Sequence, residues 1–163
     1  MRGRRWTAWR RSAGRRTSPL FLRKELVDDS GGAGRYRGGP GQYFVWRSYA
    51  EDPITVGVRM DRIAHPPQGL FGGLPGAPAA VLLDGQPLHA KKTMRVLPGQ
   101  VFHAQSAGAG GYGDPRERDP QAVLDDVLDG YVSPERARED YGVVVDLTRR
   151  AIDWEATRRL RGG

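Results

Sequence analysis

The chain has 163 residues, enough for one domain with a core, and no cysteine, which excludes disulfides and thiolate metal sites. No apolar run approaches the roughly 18 residues of a membrane-spanning helix. The net charge of +7 invites a nucleic-acid reading, but the excess sits at one end: residues 1–18 hold Arg2, Arg4, Arg5, Arg10, Arg11, Arg15 and Arg16 and no acid, and beyond them 19 basic residues balance 19 acidic ones.

In chain order, residues 1–19 show no helical or strand period and read as a basic, disordered arm. Trp6 and Trp9 could stack on bases if that arm binds phosphate. The arm lacks the apolar core of a secretory signal, although an arginine-rich, acid-free start loosely resembles an organellar transit peptide. Leu20 to Asp28 reads as an extended strand. The loop Asp29 to Gly41, D-S-G-G-A-G-R-Y-R-G-G-P-G, holds too many glycines for a regular element. In it Arg35 and Arg37 flank Tyr36, ready either for a carboxylate or phosphate ligand or for Asp28, Asp29 and Ser30 as internal partners.

Gln42 to Tyr49 and Ile54 to Met60 are β-branched and aromatic, and are expected to pair antiparallel across an Asp52-Pro53 turn. The proline- and glycine-rich stretch Ala64 to Pro78 reads as an ordered loop with Phe71 buried as an anchor. Ala80 to Leu83, Thr93 to Leu97 and Val101 to Ala104 read as short strands, the last two joined by an L-P-G turn. A second glycine loop follows, with Gly108, Gly110, Gly111 and Gly113 closing on Asp114-Pro115. Such a loop either offers bare N–H groups to an anion or lets segments of backbone cross tightly.

The helical part is plainer. Asp119-Pro120 starts a helix with the apolar stripe Val123, Leu124, Val127 and Leu128, and Gly130 stops it. Ser133-Pro134-Glu135 starts a second helix ending near Tyr141-Gly142; its balanced charge argues against a DNA-reading helix-turn-helix. Val143 to Val145 reads as a short strand. Asp153 caps a last helix, expected to dock through Trp154, with Arg158, Arg159 and Arg161 near its C-terminus. The whole is an α+β fold: a β-rich N-terminal part with glycine loops, then a small helical part.

Chemistry-bearing motifs are sparse. His65, His89 and His103 have no metal-ligand spacing, and no nucleophile elbow or Walker loop is present. His103, on a strand just before the second glycine loop, is the one catalytic candidate.

Three blocks nevertheless resemble one family in order and spacing: D-S-G-G-A-G-R-Y-R-G-G-P-G from Asp29, G-L-F-G-G-L-P-G from Gly69, and the long block running from Gly110 through G-G-Y-G-D-P-R-E-R-D-P-Q-A-V-L-D-D-V-L-D-G-Y-V-S-P-E-R-A-R-E-D-Y-G-V-V-V. The family is hydantoinase B/oxoprolinase, and the resemblance runs from about Leu20 to the C-terminus. Ala109, interrupting a usual glycine run, and Pro40, at a usual aliphatic position, depart from it. The resemblance implies a cytoplasmic, ATP-dependent enzyme that opens cyclic amides such as 5-oxoproline or hydantoins, or performs related carboxylations. It also implies a nucleotide-binding hydantoinase A-type partner. Family subunits are several times longer, and their N-terminal parts carry the acidic and histidine residues expected to hold metal. The expectation is therefore a truncated C-terminal portion, residues 20–163, inactive alone and binding no cofactor itself, with ATP and a divalent metal belonging to the full assembly. Candidate substrate- or phosphate-loop residues are Gly31, Gly32, Arg37, Gly110, Gly111 and Asp114. The competing expectation is a non-enzymatic binding module whose basic arm contacts nucleic acid or another anionic partner. A fragment should show a neutral body with exposed apolar surface; a nucleic-acid module should bind with steep salt dependence.

Overall fold

The computed structural model describes residues 19–162, so the basic arm, apart from Pro19, lies outside them. The strands are β1 (Pro19–Leu26), β2 (Gln42–Ser48), β3 (Ile54–Arg59), β4 (Ala80–Leu83), β5 (Gln86–Pro87), β6 (Lys91–Val96), β7 (Val101–Gln105), β8 (Val145–Asp146) and β9 (Ala151–Ile152). The helices are α1 (Pro120–Leu128), α2 (Pro134–Glu139) and α3 (Trp154–Arg161), with a 3-10 turn at Pro115–Glu117.

Five strands form an antiparallel sheet in the order β1-β2-β7-β4-β5, and β3 pairs with β6 as a separate ribbon. Alternation along β2 and β7 decides the sheet's two faces. Phe44 pairs with Ala104 and Trp46 with Phe102, and this side joins Val81, Val58 and Val96 in one apolar core. Trp46 stacks on Phe102 with ring centroids 5.0 Å apart. The ribbon is the lid of this core. The expected pairing of β2 with β3 does not form: the Asp52-Pro53 bend carries the chain into the separate β3–β6 ribbon, whose Val58 and Val96 join Trp46 in the core. β2 instead takes β1 and β7 as neighbours because that match aligns its buried face with Phe102 and Ala104.

The turn between β4 and β5, Asp84-Gly85, has φ of 47° and 80° at its two residues. Asp-Gly with both residues left-handed is the signature of a two-residue hairpin, and here it joins β4 to β5, a pairing the strand pattern of the sequence does not reveal.

The helical part builds a second core from Val123, Leu124 and Val127 of α1, Ala137 of α2, and Val132, Tyr141, Val143 and Ile152. Its helices start where the capping residues place them. Asp119 accepts from Gln121 N at 3.0 Å, Ser133 from Arg136 N at 3.1 Å and Asp153 from Ala156 N at 2.9 Å. Gly130 and Gly142 follow the first two with φ of 77° and 66°. Two expectations change. Only Val145 of the Val143–Val145 run is in a strand; Val143 is fully buried in the helical core instead. Trp154 is 53% exposed and does not dock α3. The docking residues are Thr157, whose Oγ1 accepts from Val144 N at 3.0 Å, and Arg161, which donates to the carbonyls of Tyr141 and Arg118 at 2.9 Å each. Burial beside Arg116 lowers the Arg161 pKa, desolvation being the larger cause.

Candidate functional site

Three irregular segments, residues 28–41, 61–79 and 106–114, cross between the two cores. They are held by backbone hydrogen bonds to one another: Gly32 N–H to Ala109 O (2.8 Å), Ala109 N–H to Gly39 O (2.9 Å), Leu74 N–H to Ala33 O (2.7 Å), Gly111 N–H to Leu74 O (2.9 Å) and Gly108 N–H to Ala77 O (3.0 Å). A Cβ on Gly32, Gly108, Gly110 or Gly111 would collide with a carbonyl of a neighbouring segment, and one on Gly31 with the carbonyl of Gly38 in its own segment. The glycines are there because backbone lies against backbone. Of the phosphate-loop candidates, Gly32 and Gly111 have their N–H groups engaged inside this crossing, which leaves them no proton to aim at an anion. Asp114 caps the 3-10 turn, accepting from Arg116 N at 2.8 Å.

Arg37 is likewise committed within the fold. Its Nε and Nη2 grip Asp126 at 3.1 and 3.0 Å, its Nη1 donates to Gly38 O at 2.7 Å, and its guanidinium lies 4.9 Å over the Tyr131 ring. Arg118 Nη2 reaches the same carboxylate at 2.8 Å. Asp126 is thus a buried anion between two largely buried cations, and it ties the first glycine segment to α1. The expected partners Asp28, Asp29 and Ser30 do not serve the arginines. Asp29 accepts from Ser133 N at 2.8 Å, Ser30 bridges Val27 and Gly41, and Arg35 reaches the exposed Glu117. Local spacing misled because the partners lie more than eighty residues away, Asp126 on α1 and Glu117 in the 3-10 turn before it.

Beside the cluster lies Tyr141, 1% exposed, its hydroxyl without a hydrogen-bond partner among the described residues. Burial pushes its pKa up to about 12. The expected result for Tyr141→Phe is stability at pH 7 unchanged or raised by about 1 kcal/mol, since an unpaired buried hydroxyl is removed. The raised folded pKa means that the wild type holds its stability below pH 10 and loses it as the pH rises toward 12, by on the order of 2 to 3 kcal/mol. Urea unfolding of both proteins between pH 8 and 12 checks this; the Phe variant should lack that part of the alkaline fall.

His103 stands on the sheet face opposite the apolar core. β2 and β7 pair Val45 with His103 and Tyr43 with Gln105, so all four side chains share that face. Tyr43 Oη lies 2.8 Å from His103 Nδ1. Arg23, ion-paired with Glu25, lies over the Tyr43 ring at 5.3 Å. Arg23, Glu25, Val27, Asp28, Tyr43 and Gln105 line a shallow groove of about 310 Å³ next to the pair. A tyrosine that orients an imidazole through one ring nitrogen leaves the other to exchange a proton with a ligand. Tyr43 was missed in the sequence because only the register across sixty residues brings it to His103. Asp126 could have been found, as an acid flanking the apolar stripe of α1 one turn after Val123.

Among the described residues no group of three or more His, Cys, Asp or Glu side chains could hold a metal ion. Nor is any helix among them long and apolar enough to cross a membrane.

Comparison with known proteins defines the class first. The crystal structure of an ATP-dependent caprolactamase from Pseudomonas jessenii superposes with a TM-score of 0.69 at 31% identity, covering 89% of this chain and 26% of that one. The family model described as hydantoinase B/oxoprolinase matches residues 14–115, and the chain belongs to that family. An uncharacterised protein of Methanocaldococcus jannaschii is 36% identical across 88% of this chain and 26% of its own length. The acetophenone carboxylase delta subunit of Aromatoleum aromaticum is 32% identical across 82% of this chain and 25% of its own. The chain spans about a quarter of the length of these relatives. Both sequence matches cover too much of the chain to end at residue 115, so the likeness extends into the helical part.

Proposed function

We propose that this chain is the C-terminal segment of an ATP-dependent hydantoinase B/oxoprolinase-type enzyme that opens a cyclic amide such as 5-oxoproline, a hydantoin or a related lactam. The observation that carries this reading is the family match together with the quarter-length coverage of relatives that include an ATP-dependent caprolactamase. On its own the segment is inactive; it works with the remaining part of a B-type subunit and a hydantoinase A-type partner that handles ATP. Activating the amide oxygen by phosphorylation would make the inert lactam carbon open to attack. What this segment would supply is the His103–Tyr43 pair, delivering a proton to the departing ring nitrogen or taking one from the attacking water.

The test is reconstitution. The chain is co-expressed with the missing part of a B-type subunit and with an A-type subunit, and ADP release is followed with 5-oxoproline, hydantoin and caprolactam in turn. Substrate-dependent turnover is expected only with all parts present. His103→Ala should lower kcat about a hundredfold and Tyr43→Phe should shift the pH profile at smaller cost. Equal turnover with this chain left out would sink the proposal.

A further inference from the structure

The glycine crossing ends at the surface in a cluster of rings. Tyr36 and Tyr112 face each other across a two-residue antiparallel bridge with centroids 6.2 Å apart, and Phe71 lies 5.1 Å from Tyr112. These side chains are open to solvent: Tyr36 is 62% exposed, Phe71 78%, and the adjoining Leu70 60%. Phe71 is therefore not the buried anchor that its motif led one to expect.

Its backbone sharpens the point. Phe71 has φ of 51°, in the left-handed region that bulky residues avoid. The conformation is imposed from both sides. Leu70 N–H donates to Gly111 O at 2.9 Å, while Leu70 O accepts from Gly73 N–H at 3.0 Å and Gly113 N–H at 2.9 Å. Glycine would satisfy this turn without strain, and glycine does occupy the next two positions. A phenylalanine held in a strained turn gains little burial from this chain in return, so its ring is kept for something outside the chain. The ring cluster is apolar at the centre, and the exposed Arg35–Glu117 pair gives it a charged rim. That is the anatomy of a protein-binding hot spot.

We infer that Phe71, with Tyr36, Tyr112 and Leu70 around it, docks into the rest of a hydantoinase B-type subunit. This rests on the function proposed above and names the surface through which the segment joins its enzyme. The occupant follows from size: the relatives carry a matching segment inside chains about four times as long, so an apolar face exposed on this segment is matched to the remaining polypeptide of such a chain.

The test uses capture, which does not depend on any activity. The full chain, tagged, is co-expressed with the portion of the Methanocaldococcus jannaschii relative that lies outside its match to this chain. That relative's own matching segment is the control bait. Wild-type chain is expected to retain the portion, and Phe71→Gly to retain at least tenfold less. The melting temperature of the Phe71→Gly chain should be unchanged or higher, because the strained turn is relieved. A merely structural phenylalanine would lower it. Absence of capture by this chain overturns the inference, whether or not the control bait succeeds. So does an isolated chain that dimerises and becomes monomeric on Phe71→Gly, since the occupant is then a second copy. Capture without turnover in the reconstituted enzyme leaves this interface standing and removes only the catalytic proposal.

Discussion

Asp126→Ala is expected to destabilise the chain by about 3 to 5 kcal/mol, which for a domain of this size is a fall in Tm of roughly 6 to 20 °C. The side chains of Arg37 and Arg118 are only 15% and 16% exposed, and both grip this carboxylate. Removing it leaves two guanidinium groups desolvated with no counter-charge, which is far worse than never having buried them. The loss is structural in reach because Arg37 belongs to the first glycine segment and Asp126 to α1, so the pair joins the crossing to the helical core. The same physics fixes the control. Replacing all three side chains by apolar ones of similar volume, Asp126→Leu with Arg37→Met and Arg118→Met, should recover much of the loss, since no orphaned charge remains. Urea unfolding of the single and triple variants decides it. A single variant as stable as wild type would mean that water already compensates the arginines and that the cluster is not buried in solution.

How far the sequence foretold this depends on the range over which each signal acts. Capping is local: Asp119, Ser133 and Asp153 each sit within three residues of the N–H they accept from, and all three helix starts were legible. The existence of the longer strands was legible for the same reason, since alternation and β-branching are read over six residues, whereas the two-residue strands β5 and β9 carry no such pattern. Strand partners were not. β3 finds β6 across more than thirty residues, and only the completed Trp46–Phe102 core makes that layer better than a simple hairpin with β2. The candidate site divides in the same way. His103 was visible as a histidine on a strand, whereas Tyr43 became its partner only through the β2–β7 register. Phe71 was misjudged because large apolar residues are usually buried, a rule that fails where a surface is made for another chain. The glycine loops were the hardest case, because glycine density marks close approach of backbone without saying to what.

Gly111→Ala resolves that ambiguity, and the expected result is a loss of about 3 kcal/mol or more, with Gly39→Ala in the neighbouring loop within about 0.5 kcal/mol of wild type. A Cβ on Gly111 would meet the carbonyl carbon of Ala33 at 2.5 Å and the carbonyl oxygen of Gly32 at 2.7 Å, both of them backbone. Neither can step aside, because Leu74 N–H holds Ala33 O at 2.7 Å and Gly38 N–H holds Gly32 O at 2.9 Å. Gly39 has nothing within 4 Å of the same added atom and no left-handed φ. The two glycines therefore differ only in what lies against them, and thermal unfolding of the pair isolates that difference. An anion cradle makes the opposite prediction: Gly111→Ala would leave the melting temperature alone and weaken only binding of a phosphate-bearing ligand. If both variants melt like wild type, the crossing is looser than its hydrogen bonds imply and Gly111 returns to candidacy as an anion donor. If Gly111→Ala alone collapses, the glycines are there so that three strands of backbone can touch.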